Sequence, residues 1–199
     1  MFMKRGLAVT YVFLLVQQLA WCQKLKTGDK APDFTGTAAT GEMISLSQYK
    51  GQKVLLAFFR YASCPVCNFR THELLENFDS ISAKDIKIIA VYESDNKTIN
   101  EYMADTHLPY PVIGDPELTL YKKYSLEKSL WKTMGALFHK ETKAARANGK
   151  KLFRRKFNRD GNLSRLPADF IIDEYGIVKV AHYATGIGDH LPVSEILKN

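Results

Sequence analysis

Short apolar runs alternate with amphipathic stretches along most of the chain. Residues 53–59 and 86–92 are apolar apart from one lysine each, a composition typical of strands buried on both faces of a sheet. Between these runs, apolar residues recur with roughly helical spacing, which predicts a helix from residue 67 to 81. A buried strand, a helix and a second buried strand in this order indicate the α/β class.

The rest of the pattern adds further strands and helices to this unit. Turn residues between apolar segments predict hairpins at 35–46 and 166–183. Helices are predicted at 96–107, 118–124 and 192–198, and a short edge strand at 112–116. The order of these elements predicts a mixed β-sheet flanked by helices, with an N-terminal β-hairpin.

The predicted strand at 53–59 leads into Cys64-Pro65-Val66-Cys67 at the start of the predicted helix. A Cys-x-x-Cys at a strand-to-helix junction puts the first sulfur at the helix N-terminus, where unpaired N–H groups and the macrodipole favour a thiolate. Pro65 suits the first turn because the N–H it lacks would have no helical partner. The second sulfur follows about one turn later and can close a disulfide with the first. The pattern indicates redox chemistry, with Cys64 and Cys67 as the catalytic pair.

Two other uses of the cysteine pair are open. A structural disulfide within one helical turn closes almost no loop and so stabilises little. A zinc site needs about four ligands, and the sequence offers no second Cys-x-x-Cys and only His72 as a third ligand. We therefore expect the Cys64–Cys67 disulfide itself to be the redox group, with no metal and no separate cofactor.

The first 22 residues differ in character from the rest. A positively charged start, an apolar run at 6–16 and a more polar exit predict a secretory signal peptide cleaved before Gln23. A lipoprotein with an acylated Cys22 and an uncleaved membrane anchor are the alternatives, and Trp21 disfavours the lipoprotein because such signals carry a small residue there. We expect an exported protein, periplasmic or extracellular, in which residues 23–199 form one domain.

The net charge of +7 is concentrated in one segment, because residues 116–166 contain 14 Lys and Arg but four Asp and Glu. Within it, residues 129–158 combine an apolar stripe at helical spacing with clustered cations, and about 126–164 is interpreted as a basic helical insertion. The insertion could pack on the domain, cover the redox site, or lie on a membrane surface. We expect the stripe to face the core and the charges to be solvated. The export signal argues against nucleic acid as a partner.

Several segments resemble a known family. The strand, Cys-x-x-Cys and helix, with a proline opening a later hairpin, resemble the thioredoxin fold. Gly-Asp-Lys-Ala-Pro-Asp-Phe at 28–34 and Asp-Phe-Ile-Ile-Asp-Glu-Tyr-Gly at 169–176 resemble the redoxins of the alkyl hydroperoxide reductase/thiol-specific antioxidant (AhpC/TSA) family. The ending at 186–192 is similar to the peroxiredoxin-like members. The resemblance covers about residues 28–198 apart from the insertion, and it implies a thioredoxin-like fold.

The chain departs from the peroxiredoxins of that family in two places. Those enzymes carry a Pro-x-x-x-Thr/Ser-x-x-Cys signature; aligned on Cys67, this chain has Arg60 in place of the Pro and Cys64 in place of the Thr. They also place an Arg before the late hairpin, where this chain has Pro167. Both departures resemble thioredoxin, which has its first Cys and a cis-Pro at these positions. We therefore expect a cis Leu166–Pro167 bond that faces the sulfurs, with the adjoining backbone holding the substrate.

The groups that would support the cysteines are less sharply defined. Arg60, Arg70 and Arg165 are candidates for binding a peroxide and stabilising its leaving oxygen, although an arginine is more often a surface residue. The thioredoxin resemblance also implies a buried acid that serves the resolving cysteine. The strand at 53–59 has no carboxylate, which leaves Glu93 and His72 as the candidates for this role.

Three functions follow as hypotheses. The first is an exported thiol–disulfide oxidoreductase, in which Cys64 attacks a protein disulfide, Cys67 resolves the mixed disulfide, and an unidentified thiol reductant restores the dithiol. The alternative is a peroxiredoxin-like antioxidant enzyme that reduces hydroperoxides through a cysteine sulfenic acid. The third is a non-catalytic module that binds a membrane or a partner through the basic insertion, for which both cysteines would be dispensable.

Overall fold

The computed structural model describes residues 23–103, 106–152 and 160–199. The strands are β1 (Thr35–Thr37), β2 (Met43–Ser45), β3 (Lys53–Phe58), β4 (Ile86–Tyr92), β5 (Val112–Gly114), β6 (Ala168–Ile172) and β7 (Val178–Tyr183). The helices are α1 (Pro65–Glu76), α2 (Phe78–Ser82), α3 (Asn96–Met103), α4 (Thr119–Lys123), α5 (Leu130–Phe138), α6 (Lys140–Leu152) and α7 (Val193–Ile196), with a 3₁₀ turn at Leu46–Tyr49. The predicted signal peptide and part of the basic cluster of the insertion, residues 153–159, lie outside the described residues.

Strand β3 lies at the centre of a five-stranded sheet of order β5-β4-β3-β6-β7. It pairs in parallel with β4 and antiparallel with β6, so the sheet is mixed. Strands β1 and β2 form a separate antiparallel hairpin. The predicted architecture, a mixed sheet with helices and an N-terminal hairpin, is confirmed.

The apolar run of β3 is explained by burial on both faces of the sheet. Leu55 and Ala57 belong to the core beneath α1, whereas Leu56 and Phe58 belong to the core on the opposite face, beside α4. All four side chains are fully buried. A strand buried on both faces cannot alternate apolar with polar residues, and this is why the central strand was predictable from sequence.

The helix predicted at 67–81 is divided at Asn77. Its backbone leaves the helical region there, and its side-chain amide donates a hydrogen bond to the Glu73 carbonyl (2.8 Å). This bond satisfies one of the carbonyl groups left free at a helix end, so α1 ends at Glu76 and α2 begins at Phe78. In the described part of the chain, no helix has the length and apolar character needed to cross a membrane.

The apolar stripe of the insertion faces outward, so the prediction that it faces the core is wrong. Helix α5 buries the small side chains of Thr133 and Ala136, whereas its five large apolar side chains are 37% to 87% exposed: Leu130, Trp131, Met134, Leu137 and Phe138. The small residues permit close contact, since a Cβ on Gly186 would lie 2.7 Å from the Ala136 Cβ. Spacing identified the helix, but the tertiary contact selected its narrow, small-residue side for burial.

Candidate active site

Cys64 lies at the point where the loop after β3 becomes helix α1. It is the N-cap residue, with an extended backbone, and Pro65 follows in the first turn. Its Sγ accepts a hydrogen bond from the Cys67 backbone N–H at 3.4 Å. Both cysteines are free thiols and both are buried. The predicted position of the first sulfur at a helix N-terminus is thus present in the structure.

The Cys64 thiol is the more acidic of the two. Burial acts to raise its pKa, but the Cys67 thiol hydrogen bond, the Arg60 charge and the backbone N–H groups of Cys67 and Val66 outweigh burial. The result is a pKa lowered to about 6. Cys64 is therefore largely a thiolate at neutral pH, the form that attacks disulfides and peroxides.

Cys67 has the opposite character. Burial, the hydrogen bond that its thiol makes to Cys64 and the neighbouring Cys64 charge together raise the pKa of Cys67 well above the ordinary range. Cys64 therefore ionises more readily than an ordinary cysteine, and Cys67 retains its proton more strongly. This division of roles is what a two-cysteine redox cycle requires.

Arg60 supplies the positive charge beside the Cys64 sulfur. Its Nη1–H group points to the Cys64 Sγ at 3.5 Å, and Nη2 donates to the Leu163 carbonyl at 2.6 Å. The guanidinium also lies over the Tyr61 ring, 5.2 Å from its centroid. Arg60 is only 3% exposed. The residue that stands where peroxiredoxins have a proline is thus an interior group, held from two sides.

The other two candidate arginines are also buried, so expecting them at the surface is wrong. Arg165 pairs with Glu93, and that carboxylate also accepts the Asn162 N–H at 2.6 Å. This pair fixes the end of the insertion onto β4. Arg70 donates to the Leu191 carbonyl at 2.7 Å and to Glu73 at 3.2 Å.

The two residues proposed as the supporting acid have other partners. Glu93 is engaged by Arg165, as described above. The His72 side chain is 35% exposed and pairs with Glu76 at 3.2 Å, on the outer side of α1.

Asp169 is a buried acid that the sequence reasoning missed. It lies on β6 opposite Ala57 of β3, accepts the Leu191 N–H at 2.7 Å and lies 3.0 Å from His190 Nδ1. Burial acts to raise the pKa of Asp169, but His190, Arg70 and the Leu191 N–H outweigh it and lower the pKa. A carboxylate opening the apolar run Phe-Ile-Ile at 170–172 was the available signal.

The Leu166–Pro167 bond is not the predicted cis bond. Every peptide bond in the described residues is trans. The Leu166 N–H donates to the Glu127 carbonyl, and the Pro167 carbonyl accepts from the Ala184 N–H. Both contacts are made with the bond in the trans form, which is the lower-energy isomer of an X–Pro bond. Their use as a substrate-binding strand stays a prediction.

A groove of about 800 Å³ opens beside Cys64. One wall consists of apolar side chains of α5, another contains Arg146, Gly149 and Lys150 of α6, and the floor is the loop from Arg60 to Pro65. Cys64 lines the groove and Cys67 does not. Helices α5 and α6 of the basic insertion thus line the groove beside Cys64.

Comparison with known proteins connects this geometry to a family. The AhpC/TSA family matches residues 27–181. The chain is 26% identical over 114 residues to a protein of Mycobacterium tuberculosis H37Rv named as a peroxiredoxin, covering 56% of this chain and 73% of the relative. It is 25% identical over 107 residues to peroxiredoxin Bcp of Escherichia coli K12, covering 53% of this chain and 69% of the relative.

Two solved structures share the fold. A cysteine-to-serine mutant of peroxiredoxin 6 of Arenicola marina superposes with a TM-score of 0.65 at 16% identity, covering 87% of this chain and 70% of that one. A structure described as a thiol:disulfide interchange protein DsbE of Chlorobium tepidum gives 0.53 at 21% identity, covering 86% and 92%. These two structures show the thioredoxin-like fold, and the family match over residues 27–181 shows that this chain belongs to the AhpC/TSA family and is a thiol-dependent oxidoreductase.

Proposed function

We propose that the protein is a thiol–disulfide oxidoreductase in which Cys64 is the nucleophile and Cys67 the resolving thiol. The observation that carries the proposal is that the Cys67 thiol and backbone N–H both hydrogen-bond the Cys64 sulfur, while the pKa of Cys64 is lowered and that of Cys67 raised. The groove favours a large substrate, since about 800 Å³ beside Cys64 exceeds what hydrogen peroxide needs.

The cycle balances as two successive exchanges. The Cys64 thiolate attacks one sulfur of a substrate disulfide, forms a mixed disulfide and releases the other sulfur as a thiolate. Cys67 then loses its proton and attacks Cys64, which releases the second substrate sulfur and leaves a Cys64–Cys67 disulfide. The substrate gains two electrons, and an external thiol reductant returns two electrons to the protein. The same steps run in reverse when the substrate is a dithiol.

Arg60 favours a second candidate, a thiol peroxidase. Its guanidinium beside the Cys64 Sγ could also stabilise the negative charge that develops on the leaving oxygen of a hydroperoxide. Cys64 would displace that oxygen as an alcohol or water and become a sulfenic acid, and Cys67 would condense with it to give the same disulfide and water. The relatives named as peroxiredoxins support this candidate.

Stopped-flow oxidation of the reduced protein distinguishes the two candidates. Hydrogen peroxide and a peptide disulfide are each mixed with the dithiol form, and formation of the Cys64–Cys67 disulfide is monitored. The oxidoreductase predicts a disulfide reaction at least about tenfold faster than the peroxide reaction at equal concentration. Faster peroxide oxidation, with a sulfenic acid trapped in the Cys67→Ser variant, would replace the proposal with the peroxidase.

The predicted export signal indicates the compartment in which this chemistry would operate. The N-terminal pattern of residues 1–22 predicts a signal peptide, and a periplasmic or extracellular dithiol would meet disulfide substrates there. The redox-active group of the proposal is the cysteine pair itself, with no further cofactor. Mass determination of the secreted chain tests the location, since cleavage before Gln23 is expected.

A further inference from the structure

The groove beside Cys64 contains buried polar atoms with no partner among the described residues. These are the Asn68 Oδ1, the Thr133 Oγ1 and the Arg60 Nε. The three residues are only 4%, 6% and 3% exposed. A buried polar atom without a partner costs free energy, and the residues that carry these three atoms all line one groove. A ligand in the groove toward which the side chains turn would supply the missing hydrogen bonds.

We propose that this groove binds the main chain of an acidic peptide that carries the cysteine disulfide, with α5 and α6 of the insertion as the recognition surface. The proposal rests on the oxidoreductase function and names its substrate class. The Asn68 oxygen requires a hydrogen-bond donor and the Arg60 Nε–H requires an acceptor. The Thr133 hydroxyl can bond to a partner of either kind. A peptide unit offers both an N–H and a C=O, whereas an acyl chain offers neither.

The charge of the walls selects an acidic peptide. Arg60, Arg146 and Lys150 line the groove, and no Asp or Glu does so in the described part of the chain. The segment around them has a strong excess of cations. Complementary charge raises the association rate and excludes basic partners.

The apolar wall completes the site. Leu130, Met134 and Leu137 project from α5 into the groove although each is at least 37% exposed. Exposed apolar side chains beside a few fixed polar groups are typical of ligand sites, in which burial supplies affinity and hydrogen bonds supply orientation. This accounts for the exposure of these three residues of the α5 stripe, because they cover a substrate rather than the core.

The test uses the reduced full chain and two synthetic peptides, each with one cysteine as a mixed disulfide with 2-thiopyridine. The peptides are identical except that Asp residues in one are replaced by Lys in the other. Attack of Cys64 on the peptide sulfur releases 2-thiopyridine, which is measured by absorbance. The acidic peptide is expected to react about tenfold faster at low salt, with the difference falling as salt rises.

Thr133→Val is the informative variant because it keeps the shape and removes a hydroxyl that has no partner, so the fold should be unaffected. We expect the half-saturating concentration of the acidic peptide to rise about fivefold while the limiting rate is unchanged. Thr133→Ser should restore binding. Arg146→Gln with Lys150→Gln should abolish the preference for the acidic peptide, whereas Lys143→Gln, on the same helix but outside the groove, should preserve it.

Four outcomes of these experiments would count against the proposal or the function on which it rests. Equal rates for both peptides, or an unchanged half-saturation in Thr133→Val, would overturn the proposal. A long-chain alkyl pyridyl disulfide that reacts faster than either peptide would also overturn it and indicate an apolar lipid ligand. A small hydroxyethyl pyridyl disulfide separates this failure from that of the oxidoreductase: if Cys64 does not react even with the small probe, the proposed function itself fails.

Discussion

The Pro65 carbonyl lies against Gly149 so closely that a Cβ at position 149 would be 1.7 Å from the Pro65 oxygen. Helix α6 of the insertion therefore packs directly on the first turn of α1, immediately after Cys64. Thr142 and Gly149, both buried, form the contacting side of α6. Glycine is required at position 149 by close approach of the two backbones rather than by an unusual backbone angle.

Gly149→Ala should displace α6 from α1. Because even a methyl group clashes with backbone atoms, α6 has to move, and Cys64 becomes more accessible. We expect the alkylation rate of Cys64 by iodoacetamide to rise at least about threefold and the free energy of unfolding to fall by about 1–3 kcal/mol. The alkylation rates are compared at a pH at which Cys64 is fully ionised in both proteins, so that only the accessibility of the sulfur differs.

Gly135→Ala is the matched control. Gly135 lies in α5, and nothing lies within 4 Å of a Cβ built there. Helix propensity then predicts a gain of about 0.5–1 kcal/mol with unchanged Cys64 reactivity. Equal alkylation rates in the two variants would show that α6 does not control access to Cys64.

Arg60→Gln should make Cys64 less acidic. The pKa of Cys64 is lowered to about 6 partly by the Arg60 charge, so removing that charge should move the midpoint of the pH–alkylation profile upward by roughly one pH unit or more. Arg60→Lys keeps the charge and should shift the midpoint less. A midpoint that stays near 6 in Arg60→Gln would assign the acidity to the hydrogen bonds alone.

The parts of the fold and site that depend on nearby residues were predictable from sequence. The run at 53–59 is apolar because β3 is buried on both faces, and the Cys64–Cys67 spacing places the first sulfur at the cap of α1 wherever this helix begins. Both features are set by contacts within a few residues and by simple periodicity.

The parts that depend on tertiary contact were not predictable. Asp169 is buried through strand order, since β6 pairs with β3 across more than a hundred residues of sequence and its partners His190 and Leu191 lie in a later loop. Arg60 is buried because the insertion returns at Leu163 to accept its hydrogen bond. The burial of Thr133 instead of the apolar stripe depends on the close approach of Gly186 to Ala136.

Asp169→Asn should destabilise the protein in a pH-dependent way. The pKa of Asp169 is lower in the folded than in the unfolded state, so its stabilisation is fully present above the unfolded pKa and is lost as pH falls through the folded pKa. We expect the free energy of unfolding of the wild type to exceed that of the variant by about 3 kcal/mol at neutral pH. This difference should shrink below about pH 4. Urea unfolding across this range measures it.

Asp79→Asn is the control for this series, because Asp79 is exposed and should change stability by less than about 0.5 kcal/mol. A constant difference between wild type and Asp169→Asn at all pH values would mean that packing, not charge, accounts for the effect of the substitution.

The predicted membrane contact of the insertion stays a prediction that Trp131 can test. Trp131 and Phe138 are 87% and 76% exposed and lie outside the groove, and Lys143 of α6 lies over the Phe138 ring. In a Trp21→Phe background, binding to anionic vesicles should shift Trp131 fluorescence to shorter wavelength and make it quenchable by brominated lipids, less so at high salt. Fluorescence that stays as in buffer would rule out insertion of this face.

The most direct test of the account is to identify which sulfur attacks. Cys67→Ser and Cys64→Ser are each mixed, reduced, with a peptide disulfide near pH 7, and the adducts are located by mass spectrometry. We predict rapid mixed-disulfide formation on Cys64 in Cys67→Ser, and an adduct at least about a hundredfold slower to form on Cys67 in Cys64→Ser, because Cys67 is buried outside the groove. Faster adduct formation on Cys67 would contradict the assignment of Cys64 as the nucleophile.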